Sequence, residues 1–218
     1  MDDKNKETGL GDQTQWIGLI EPIAQIIEQA RGEVRYAVNQ AMVQSYWQIG
    51  KIIVEQEQQG QERAEYGAQQ LKQLSHALTK RLGKGFDVTN LRNMRRFYLV
   101  FPIRDAVRPE LSWTHYNALS RIESASARNW YQQEAITQNW SVRALERQIS
   151  KLYYERLLAS KDKALVEQEA KTQTGPLAES VHDYLRDPYI LDFLNLQDKT
   201  YQESELEQAI ISNIQQFL

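Results

Sequence analysis

Cysteine is missing from all 218 residues, which excludes a disulfide framework and any thiolate metal site and makes the reducing cytoplasm the default compartment. Histidine is scarce: His76, His115 and His182 are the whole complement, and no two stand four residues apart, the spacing of a helical metal-binding pair. No apolar run approaches the roughly 18 residues a membrane span needs, so no membrane partner is expected. The opening MDDKNKETGLGDQTQ is polar and acidic, unlike a secretory signal or an amphipathic transit peptide. There is no G-x-S-x-G elbow, and GKGF is too short for a phosphate loop and lacks its Lys-Ser/Thr ending. Nothing in the chain assembles a catalytic site.

What is present is a soluble composition with enough apolar residues, 41%, to bury a core. The formal net charge of -3 argues against a generic polyanion binder. The average hides a local excess. Between Lys72 and Arg108 stand nine basic residues against only Asp87 and Asp105, while acids gather in the first tail, around Glu55 to Glu65 and after Asp162. A basic segment inside an acidic chain is a more specific electrostatic footprint than net charge.

That segment reads as two helices around a tight turn, at about residues 67–101. Leu71, Leu74, Leu78 and Leu82 recur at helical spacing, Gly83 and Gly85 break the run, and Asp87 or Thr89 can cap the next helix. The second helix is expected to bury Val88, Leu91, Met94, Tyr98 and Phe101. Its opposite face would carry Thr89, Arg92, Asn93 and Arg96, flanked by Asn90 and Arg95. Arg and Asn can each grip base edges in bidentate fashion, and helix-turn-helix readers present such residues on their second helix. Lys80, Arg81 and Lys84, at the end of the first helix and in the turn, are candidates for phosphate contact. The competing reading is a solvated face, since any surface helix is polar opposite its core. The absence of acids from Val88 to Phe101 favours nucleic acid, because a merely solvated helix usually interleaves Glu.

The fold class expected is mainly α, a multi-helix domain with a helix-turn-helix-like unit that could include a short wing between Ile103 and Glu110. Residues 1–15 read as a disordered tail. A helix from Ile17 to Arg31 follows, with Pro22 tolerated only in a first turn, then a long helix from Glu33 to Gln58. Ser112 caps a short helix, with Leu111 and Tyr116 forming a hydrophobic staple. Further helices are expected from Ser126 to Gln138 and, capped by Ser141, through Leu158 and on to about Lys171. The helical domain is taken as 16–160, a linker as 161–180, and a second domain as starting at 181. Thr200 and Glu203 make a capping box for a last helix that stops in mid-pattern at Leu218.

His115, within the aromatic SWTHY, is expected to pack and hydrogen-bond rather than to ligate. The aromatics Tyr46, Trp47, Trp113, Tyr116, Trp130, Tyr131 and Trp140 could stack on unpaired bases, but their helical positions favour core packing. Arg121, Arg128, Arg143, Arg147 and Arg156 mostly alternate with acids and read as a solvated face.

Four blocks, YWQIGKIIVEQ, RAEYGAQQLKQLSHALTKRLGKGFDVTNLRNMRRFY, LSWTHYNALSRI and WSVRALERQISKLYYERLL, resemble in order the N-terminal region of YhcG-type bacterial proteins, a family of the PD-(D/E)XK nuclease superfamily. DPYILDFLNL followed by SELEQAIISNIQQFL looks like the start of that family's nuclease domain, which sets 181–218 as its truncated beginning. The resemblance implies a helical module that delivers a nuclease to DNA. A PD-(D/E)XK site needs an Asp and a later Glu-x-Lys on adjacent strands to hold Mg²⁺ and activate water. No such strands follow here, and Glu207 alone cannot bind metal usefully. The expectation is therefore a catalytically incomplete DNA-binding module without a cofactor of its own. The alternatives are a protein-interaction or self-association scaffold, or one half of a nuclease completed by a separately encoded chain.

Overall fold

The computed structural model describes residues 10–59, 64–103, 107–108, 110–174 and 187–193. These form helices α1 (Leu10–Gln59), α2 (Ala64–Leu82), α3 (Val88–Val100), α4 (Trp113–Leu119), α5 (Ala125–Thr137), α6 (Val142–Ser150), α7 (Tyr153–Ala159), α8 (Lys163–Thr174) and α9 (Pro188–Phe193). No strand occurs among the described residues, so the mainly α class holds. Most of the acidic tail, part of the connector considered for a wing, and the terminal helix with Glu207 lie outside the described residues.

The chain divides into two units, Met1–Val38 and Asn39–Leu218, and the boundary falls inside α1. Where the sequence suggests two helices, one runs unbroken from Leu10, within the stretch read as tail, through Gly32 to Gln59. Pro22 is thirteen residues into it rather than in its first turn. Glycine lowers helix propensity by about 1 kcal/mol but ends a helix only where the backbone turns left-handed. Among the described residues, Gly83 (φ 92°) and Gly85 (φ 91°) do so and Gly32 does not.

The second unit is organised around aromatic side chains. Tyr46 of α1 meets Trp113 edge-on at 4.9 Å, Trp113 meets Phe97 of α3 at 5.4 Å, and Phe97 meets Tyr116 of α4 at 4.8 Å. All four are buried, as are Met42, Leu91 and Met94. Such rings bury large areas and favour tilted or edge-to-face pairs, so they fix the angles at which α1, α3 and α4 cross. A second cluster joins Trp130 of α5 to Tyr153 of α7 at 5.1 Å, with Trp140 6.2 Å from Tyr153. The aromatics therefore build the core rather than a stacking platform.

Side-chain caps open α4, α5 and α6, where orphan N–H groups need acceptors. Ser112, Ser124 and Ser141 each accept a backbone N–H from the first turn of the helix that follows. His115 completes a capping box at α4: its Nδ1 accepts from Ser112 N–H (3.2 Å) while Ser112 Oγ accepts from His115 N–H (3.4 Å). The helix expected to run on from Ser141 is interrupted instead by Leu152, at φ 52°, and by a second break at Ser160–Asp162. The two breaks let α7 and α8 fold back on α6: Gln148 Nε2 of α6 donates to Ala170 O of α8, and Arg156 of α7 pairs with Glu169 of α8. Lys163–Thr174, inside the span read as a linker, is thus a packed helix.

The short α9 also joins this core. Ile190 is fully buried, Tyr189 meets Trp113 at 6.3 Å and Phe193 meets Tyr46 at 6.0 Å. Asp187 caps the helix through Tyr189 N–H and accepts from Thr114 Oγ1, both at 2.9 Å. Its carboxyl is pushed up from the usual range by burial. A residue stretch read as the start of another domain therefore packs against α1 and α4.

Candidate nucleic-acid interface

The turn between α2 and α3 is set by its two left-handed glycines and by Asp87, whose carboxylate accepts from Thr89 N–H (2.8 Å) and Asn90 N–H (3.1 Å). This cap fixes where α3 begins. The pitch of α3 is then fixed by what it buries: Leu91, Met94 and Phe97 have no exposed surface. Phe97 was not among the residues expected inside. Its burial rotates α3 so that Asn90 and Asn93 turn inward as well.

That rotation divides the predicted stripe. Thr89, Arg92 and Arg96 are exposed, at steps of three and four along one face. Asn90 is buried, with its Nδ2 donating to Gly85 O at 2.6 Å. Asn93 is buried too. These two asparagines serve the fold, and the expected groove contacts from them are corrected accordingly. Arg95 is taken up differently: its Nε donates to both carboxylate oxygens of Glu57, at 2.9 and 2.6 Å, tying α3 to the end of α1. It too leaves the set of outward-facing cations.

Lys80 and Arg81, in the last turn of α2, are exposed, and so is Lys84 in the turn. Basic residues at a helix C-terminus also offset its dipole, which is their ordinary structural use. Among the described residues, Lys80, Arg81, Arg92 and Arg96 have no ion-pair partner, whereas Lys84 does interact. Two further exposed residues were missed: Lys72 and His76 stand on α2 at successive i,i+4 steps below Lys80. Their i,i+4 spacing is legible in the sequence beside the leucine repeat. No three His, Asp or Glu side chains among the described residues come together in a way that could hold a metal.

Residues 22–156, which contain α2, the turn and α3, match the DUF1016 N-terminal domain family. The chain belongs to the YhcG-type family. It is 36% identical to the protein of Escherichia coli (strain K12) named "Putative nuclease YhcG", in an alignment that covers all of this chain and 65% of that protein. The chain thus spans about two thirds of its relative's length. No solved structure matches. Within the YhcG-type module, α8 and α9 lie beyond the family match yet pack with its core. No described helix is long and apolar enough to cross a membrane.

Proposed function

We propose that the second unit is a cytoplasmic DNA-binding module of the YhcG-type family, with α2 and α3 acting as a helix-turn-helix-like reader. The observation that carries this reading is the outward face of α3. Thr89, Arg92 and Arg96 stand exposed on a helix without a single acid, and neither arginine has an ion-pair partner among the described residues. Their guanidinium groups are the planar forks suited to guanine edges or phosphates. Lys80 and Arg81 would hold the backbone and set register, as phosphate contacts do. The name of the Escherichia coli relative supports nucleic acid as the partner. In this proposal any Mg²⁺-dependent chemistry belongs to a nuclease half, and the helices described here supply delivery.

The test is a salt-titrated gel shift with duplex and single-stranded probes, comparing wild type with Arg92→Ala/Arg96→Ala. An arginine that neutralises a phosphate should, when truncated, reduce the slope of log K against log salt by about 0.9. One that reads a base edge should cost about 1–3 kcal/mol of affinity for the preferred sequence. An unchanged duplex affinity at low salt removes the proposal.

A protein-docking role is the second reading, favoured by one residue. Leu99, one turn beyond Arg96 on the same face, is 48% exposed. If Leu99→Asp leaves duplex binding intact while Arg92→Ala/Arg96→Ala abolishes it, the face reads nucleic acid. Duplex binding untouched by either change assigns the face to protein.

A further inference from the structure

In the first unit α1 exposes an apolar stripe that nothing among the described residues of that unit covers. Ile20, Ile23 and Ile27 are 61%, 57% and 46% exposed. Ile20, Ile23, Ile27, Ala30, Val34 and Ala37 follow one another at alternating steps of three and four, the a/d pattern of a coiled coil. Most helical stability in proteins comes from packing an apolar face rather than from propensity, and isoleucine adds little propensity of its own. The stripe therefore calls for an apolar partner helix.

The order of residues along the stripe points to which one. Set antiparallel to itself, with Ile20 across from Ala37, Ile23 falls across from Val34 and Ile27 across from Ala30. Every layer then matches a large side chain with a smaller one, the alternation that fills a helical core. Set parallel, Ala30 and Ala37 would each face themselves and leave voids. Charge agrees. In the sequence the acids Glu21 and Glu28 fall in the first half of the repeat, and the second half holds Arg31 and Arg35 with the single acid Glu33. Two-fold antiparallel pairing brings the acidic half of each copy toward the basic half of the other, whereas parallel pairing stacks like on like.

We propose that two copies of the chain associate through this stripe as an antiparallel helix pair. The pairing stands apart from the reading of α3, because it is measured on the full chain without nucleic acid. Light scattering across a dilution series should give twice the chain mass at high concentration. Ile23→Glu/Ile27→Glu should give the single-chain mass throughout, with the urea midpoint of the second unit unchanged. Wild type at single-chain mass over the whole series, or a double variant that still pairs, overturns the proposal.

Orientation is tested separately, and the absence of native cysteine gives a clean background. Ile20→Cys chains mixed with Ala37→Cys chains should oxidise to a mixed disulfide. Ile20→Cys alone should not crosslink, because antiparallel pairing separates the two positions by about 25 Å along the axis. A disulfide between two Ile20→Cys chains overturns the antiparallel register.

Discussion

Gly50 of α1 lies against the backbone of α3 so closely that a Cβ placed on it would stand 2.1 Å from the carbonyl oxygen of Met94. The contact is backbone to backbone, so no flexible side chain can yield. It is what lets α1 and α3 approach near enough for Trp47 Nε1 to reach Phe101 O at 2.7 Å. Gly50→Ala must separate the helices and is expected to cost about 1–3 kcal/mol, the range for overpacked cores. Gly18 is the control: in the first unit, nothing lies within 4 Å of its added Cβ. Gly18→Ala should be neutral or stabilising by up to about 1 kcal/mol. Urea midpoints of the two variants check this, and equal midpoints would refute the close approach.

Arg95 and its neighbours Arg92 and Arg96 should separate in their phenotypes. Arg95 and Glu57 are both partly exposed, so their pair is screened, and Arg95→Ala should cost no more than about 1 kcal/mol. A double-mutant cycle with Glu57→Gln should recover that coupling. Loss of the pair should leave the salt dependence of duplex binding unaltered. A slope that falls for Arg95→Ala as much as for Arg92→Ala would place Arg95 on the nucleic acid instead.

Asn90 is the sharpest test of how α3 is rotated. Its Nδ2 satisfies Gly85 O inside the turn, so Asn90→Ala orphans that carbonyl and should cost about 1–3 kcal/mol. The same turn is crowded from outside, since a Cβ on Gly85 would come within 3.1 Å of Asp192 Cβ in α9. Asn90→Ala should therefore lower the thermal midpoint yet bind duplex as wild type does where both are folded. Full stability with weakened duplex affinity would return Asn90 to the groove face.

Asn90 and Arg95 also show where reading the sequence reached its limit. The periodicity of α3 admits two neighbouring frames, one burying Tyr98 and the other Phe97, and both satisfy steps of three and four. The choice is made by partners remote in sequence: Trp113 receives Phe97, and Glu57, 38 residues upstream, receives Arg95. Signals contained within a few residues were legible. Gly83, Gly85 and the caps at Asp87, Ser112 and Ser141 all lie where local chemistry put them. The break at Leu152 was not, because its left-handed backbone serves the return of α7 and α8 onto α6 rather than any local preference.

His115 gives a pH dependence with a definite sign. Its Nε2 donates to Trp140 O at 2.9 Å, and its Nδ1 accepts from Ser112 N–H, an arrangement that requires the neutral ring. Burial lowers its pKa to about 4, partly offset by the bond to Trp140 O. The unfolded chain, titrating near 6.5, binds this proton more readily than the folded one. The contribution is therefore complete above about pH 6.5 and is lost as pH falls toward 4, a total of about 3 kcal/mol. Asp187 works in the opposite direction, since burial raises its pKa and makes the folded state the better proton acceptor as pH falls. Total stability blends the two, so the comparison with a variant is decisive. His115→Gln can still span Ser112 and Trp140 but cannot titrate. The stability difference between wild type and His115→Gln, followed by urea unfolding from pH 7 to pH 4.5, should shift against wild type as the pH falls. A difference that stays constant across that range would mean that position 115 does not lose a bound proton on folding.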